Sequence, residues 1–129
     1  MTVNMAEEPE RSHLVELVRG DDTAQATDAL LQLTYNEPDR LWLQRFLLEC
    51  LEPGVDRQVR ALAVTCVGHV ARLDHRVSSA LLTRLGELHN DPVVGGIVED
   101  ALDDISSFTS GQATGEATEI GFGEEGNPV

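Results

Sequence analysis

Lysine is absent from the 129 residues, and aromatic side chains are scarce: three Phe, one Tyr and one Trp. So few rings cannot fill a core, so Leu, Val and Ala must fill it, and good helix formers outnumber the residues that favour strands. Nine Arg supply the positive side chains against 23 acids, for a formal charge of -14. A chain so charged is repelled by a phosphate backbone, which argues against direct nucleic-acid binding and makes a cationic protein the natural complement. Surplus Asp and Glu also keep a small protein soluble. The two cysteines, Cys50 and Cys66, sit within apolar helical patterns and read as core thiols rather than as a disulfide or a nucleophile. No apolar run approaches the roughly 20 residues that span a bilayer. The opening MTVNMAEEPE lacks the basic start and apolar stretch of a signal peptide, so the expected location is the cytoplasm.

A chain of this length has room for one domain. Residues 1–9 read as a flexible polar arm. The first helix is expected from Glu10 to Arg19, with Leu14, Val15, Leu17 and Val18 as its apolar side and Gly20 as its stop. Asp21-Asp22 offers a cap for a second helix to Tyr35, whose Ala26, Leu30 and Leu33 recur at helical spacing. After Asn36-Glu37-Pro38, a third helix from Asp39 to Glu52 carries Trp42, Leu43, Phe46, Leu47, Cys50 and Leu51, a stripe wide enough for more than one neighbour; Trp42 is read as core. Pro53-Gly54 ends it. A fourth helix, capped by Asp56, runs to about Leu73, and a fifth from Val77 to His89. Beyond Asn90-Asp91-Pro92 the sixth carries Val94, Val98, Ala101, Leu102 and Ile105 on one face and Glu99, Asp100, Asp103 and Asp104 on the other. Residues 108–129 are rich in Gly and acids and poor in apolar side chains, and read as a disordered tail.

Chemistry needs a cluster of reactive groups, and the pattern offers none. His13 and Glu16 make two metal ligands at most. Cys66 and His69 are three apart, a spacing that helix geometry alone produces. The acids of the sixth helix lie on a regular helix that cannot wrap a calcium ion, and Gly95-Gly96 lacks the Lys and flanking pattern of a phosphate loop. No enzyme, metal or cofactor is expected.

Internal repetition decides how the helices are arranged. Adding 35 to positions of the fourth helix lands on equivalent positions of the sixth: Asp56 on Asp91, Val59 on Val94, Ala63 on Val98, Cys66 on Ala101, Val67 on Leu102 and Val70 on Ile105. The first pair is a looser copy, offset by about 33. The stretch PGVDRQVRALAVTCVGHVARL, with Asp56, Val59-Arg60, Ala63 and Gly68 in order, resembles the second helix of a HEAT repeat. That resemblance implies an all-α fold, a right-handed stack of antiparallel helix pairs over residues 10–107. It also implies that Gly68 permits close helix approach and that Arg60 pairs with Asp56 or with Asp91 of the following repeat. Gly95 stands where the third repeat should carry the Arg. The segment NEPDRLWLQRFLLECLE leading into VRALAVTCVGHVARL is similar to short bacterial HEAT-like proteins, some of which are immunity proteins encoded beside secreted toxins such as contact-dependent growth inhibition effectors.

The resulting expectation is a binding module. Stacked helix pairs present a row of second helices whose surface composition varies without disturbing the core. Asp28, Glu99, Asp100, Asp103 and Asp104 are the expected contacts for a cationic partner, in the concrete case a toxin nuclease domain; Asp56, Val59, Arg60, Ala63, Gly68, Asp91 and Val94 are expected to hold the repeat. An adaptor or regulatory subunit is the alternative.

Overall fold

A computed structural model describes the backbone of residues 2–115, 118–119 and 124–125 and the side chains of residues 10–109. Among the described residues the chain forms six helices: α1 (Thr2–Val18), α2 (Thr23–Asn36), α3 (Arg40–Cys50), α4 (Arg57–Asp74), α5 (Ser79–Leu88) and α6 (Gly95–Gly115). Thr118–Glu119 and Glu124–Glu125 pair antiparallel, with Thr118 opposite Glu125.

Short polar caps set the helix starts. Asp22 accepts from the Gln25 N–H at 3.0 Å, Asp39 from Trp42 at 3.0 Å and Ser78 from Leu81 at 3.2 Å. Asp56 accepts from the N–H groups of Gln58 and Val59 at 2.9 and 3.2 Å; Asp91 accepts from Val93 and Val94 at 2.7 and 3.1 Å. The two aspartates thus make the same pair of bonds, two and three residues onward, as their matched positions in the sequence lead one to expect. The second to fifth helices fall within about two residues of the expected spans, the usual play at helix ends. The outer helices are longer. α1 begins at Thr2 rather than Glu10, taking in all but the first residue of the expected arm, and α6 continues to Gly115, through the start of the expected tail. A started helix adds a bond for each residue fixed, so α6 runs past its last core residue, Ile105, without a new apolar period to mark it. The remainder of that tail lies outside the described residues.

One aliphatic core joins the helices. Leu30, Leu43, Leu47, Leu51, Val64, Val67, Leu81, Leu85 and Val94 are fully buried within it. α4 packs on both α2 and α6, while α1 lies on α2, α3 on α4 and α5 on α6. Gly68 lets α6 close on α4: a Cβ there would stand 3.1 Å from an Asp104 carboxylate oxygen and 3.7 Å from the Ala101 Cα. Polar side chains fasten the turns to this frame. Buried Gln44 donates to the Arg76 carbonyl at 3.3 Å and accepts from the Ser78 N–H at 2.8 Å, holding the α4–α5 connection against α3. Glu37, also buried, accepts from Arg11 at 3.1 Å and from the Asp39 N–H at 2.9 Å, and Arg40 reaches Asp74 at 2.9 Å.

Two expectations need correction. Arg60 makes no ion pair with Asp56 or Asp91; its guanidinium donates to the carbonyls of Pro53 at 3.0 Å and Val55 at 3.3 Å. Those carbonyls lie in the turn just before α4, within reach of a side chain that folds back along its own helix, and both accept from its Nη1. Trp42 is only half-buried. It stacks on Phe46 with ring centroids 5.1 Å apart while the Arg11 guanidinium covers it at 4.5 Å.

Candidate protein-binding surface

Because α4 lies between α2 and α6, these three helices form a continuous layer whose outward sides face solvent. Asp28 is exposed on α2, where Gln32 donates to it at 2.8 Å. On α6 the four acids diverge. Asp104 turns toward α4, lying over Gly68 and 3.5 Å from Arg72. Glu99 leans the other way, 3.2 Å from His89 at the end of α5. Asp100 and Asp103 are exposed. The expected contact residues therefore do not gather into one site: α4 stands between Asp28 and the rest, and two of the acids already have basic neighbours.

What the structure does gather is a chain of contacts across the layer that the sequence reading did not assemble. Tyr35 at the end of α2 packs against the His69 ring of α4, centroids 5.3 Å apart. His69 Nδ1 meets the Arg72 guanidinium, and Arg72 reaches Asp104 of α6. Partial burial, then Arg72, pulls the His69 imidazole below its ordinary value, with Asp104 opposing. Beyond them His75 takes a left-handed backbone conformation, φ 60°, as the C-cap of α4, and its Nδ1 lies 3.1 Å from the Phe108 carbonyl oxygen. A signal for the row was present in the sequence: Tyr35, His69 and Asp104 stand about one repeat apart.

The candidate reactive groups do not assemble into a reactive site. Burial pushes the Cys66 thiol up to about 11, Thr34 opposing through a hydrogen bond, and burial pushes Cys50 up to about 12, helped by Cys66 and Glu49. Both thiols stay protonated at neutral pH and cannot serve as nucleophiles. His13 and Glu16 are exposed on α1, and among the described residues no three His, Cys, Asp or Glu side chains are grouped to hold a metal ion. Gly95 packs under the His89 carbonyl and so serves packing at the start of α6, while a Cβ on Gly96 would meet nothing within 4 Å. The Asp91 carboxyl is held below its usual range first by the Val93 and Val94 N–H groups, with Arg60 and Arg84 adding their fields from further away. No described helix is long and apolar enough to cross a membrane.

Fold and surface together define an all-α protein of packed helices whose polar side chains cap and fasten the frame or face solvent. No protein-family model matches the chain, and no curated protein sequence does. Among solved structures it is similar to a chain of the CDI complex from Cupriavidus taiwanensis LMG 19424: 30% identity, TM-score 0.67, covering 78% of this chain and 89% of that one. The chain belongs to the family of that component of a contact-dependent growth inhibition complex.

Proposed function

We propose that the protein is the immunity component of a contact-dependent growth inhibition system, neutralising a toxin by binding it and performing no catalysis. The observation that carries this is the 30% identity, over most of both chains, to a component of such a complex. The buried thiols and the dispersed histidines, of which His13, His75 and His89 are exposed and His69 is half-buried, are in keeping with a role that needs no reactive group. The helix layer, with α4 flanked by α2 and α6 and with equivalent Asp56 and Asp91 caps, supports a HEAT-like stack of helix pairs, right-handed on the resemblance to that family, in which the second helices form the working side.

The partner is a cationic toxin domain, in the concrete case a nuclease whose basic substrate groove is covered by the complex. The charge of -14 supports this, since opposite fields speed encounter and bias the choice of partner. Asp28, Asp100, Asp103, Asp104 and Glu99 are the acidic contacts, and the complex forms in the cytoplasm, where an incoming toxin would act. Coexpression tests the reading: cells producing the C-terminal toxin region of the large secreted protein encoded beside this chain should survive when the chain is present. Continued killing in the presence of folded, abundant chain would remove it.

A further inference from the structure

Large apolar side chains at or near the surface of this protein are treated in two ways. On the α1 and α3 side each ring has a cover: Arg11 lies over Trp42, Arg19 lies over Phe46 at 5.6 Å, and the two arginines are paired with Glu37 and Glu49. On the α2–α4–α6 layer, near the ends of α2 and α4 and beside them on α6, apolar groups are left open. Tyr35 is 51% exposed, Leu73 48% and Phe108 40%.

Ring contacts and helical spacing link these three through α4. Tyr35 packs on His69; Leu73 stands one helical turn beyond His69 on α4; Phe108 stands one turn beyond Asp104 on α6, with its ring 6.4 Å from that of His75. The Arg72–Asp104 pair bridges α4 and α6 in their midst. His75 closes α4 in the left-handed conformation of a helix C-cap and sets its imidazole against the Phe108 carbonyl and ring, which ties Phe108 to the end of α4.

We infer that this patch, centred on Tyr35, Leu73 and Phe108, is the anchor of the toxin interface, receiving an apolar side chain of a basic toxin domain whose surrounding Arg or Lys side chains meet Asp100 and Asp104. The inference rests on the immunity reading and assigns its surface. Charge complementarity argues for a basic occupant: exposed Asp100 lies one turn before Asp104 on α6, the Asp104 carboxylate already balances Arg72 beside Leu73, and the chain as a whole carries a charge of -14. Such a division is physically expected, because buried aromatic centres carry most of the affinity of an interface while rim charges govern encounter.

The test measures binding of the purified toxin domain encoded beside this chain, inactivated in its own active site, to full-length protein by isothermal titration calorimetry. Tyr35→Ala with Phe108→Ala, and separately Leu73→Asp, should each weaken binding by about 30-fold or more, while Leu41→Ala, at a still more exposed leucine on α3, stays within about 2-fold. Circular dichroism confirms unchanged helix content, and Leu73→Asp stands in if the double variant misfolds. Tight wild-type binding with all variants unchanged overturns the assigned surface and leaves the immunity reading standing. No wild-type binding defeats the immunity reading and this inference with it. Concentration-dependent dimers in sedimentation, dissolved by the same variants, would make the patch a contact between copies of the chain and also overturn the inference.

Discussion

Gly95 and Gly96 are neighbours in the first turn of α6, and replacing each with alanine probes the packing that fixes that helix. A Cβ on Gly95 would stand 2.6 Å from the His89 carbonyl oxygen and 3.5 Å from its carbon; on Gly96 it would meet nothing within 4 Å. The obstacle is backbone on both sides. The Gly95 N–H donates to the Asp91 carbonyl at 2.9 Å and the His89 N–H to the Gly86 carbonyl at 3.3 Å, so relief requires the turn or the helix start to shift. Overpacking of this kind costs about 1–3 kcal/mol. Alanine's helical advantage, up to about 1 kcal/mol, is common to both positions, so the difference between the two variants isolates the clash. In urea denaturation followed by far-UV circular dichroism, Gly96→Ala should match or exceed the parent protein and Gly95→Ala should fall below Gly96→Ala by about 1–3 kcal/mol. Equal stability of the two variants would refute the packing of α6 against the end of α5.

Folded protein treated with a thiol reagent at mildly alkaline pH should leave Cys50 and Cys66 unmodified, and both should react once denatured; prompt labelling of the folded chain would contradict their burial. The His69 imidazole, lowered in the folded state, contributes stability that is present above its ordinary value of 6.5 and lost as pH falls through the folded value. His69→Asn should therefore flatten the decline in stability just below pH 6.5, measured as the difference between parent and variant urea midpoints; an undiminished slope would assign it to other groups. Leu47, fully buried on α3, should lose about 2–5 kcal/mol on change to alanine, seen as a lower urea midpoint; a loss below about 1 kcal/mol would contradict a close-packed core there.

Much of the fold was legible because it is written locally. Asp22 and Asp56 cap the helices they were expected to cap, Asp39, expected as the first residue of the third helix, caps it, and Pro38 and Pro53-Gly54 fall in the breaks between helices. The long ends of α1 and α6 escaped because their outer turns carry no apolar period. Arg60 escaped for another reason: its choice among carbonyls and carboxylates depends on where a turn folds, which spacing does not encode. At the surface, the acids of α6 could be found by counting, but their split between Arg72 on one side and His89 on the other follows from helix rotation. Tyr35, His69 and Asp104 were readable in principle from the repeat. The repeat was used to find what is buried, and the same register also brings outward positions into line.

The account turns on neutralisation by occupancy, which a titration of toxin activity against added protein addresses most directly. With toxin held well above the dissociation constant, activity should fall linearly and reach zero at one equivalent. Full suppression by a small fraction of an equivalent would mean that the chain turns over and acts on its target as an enzyme; undiminished activity at several equivalents would mean that it does not neutralise the toxin at all.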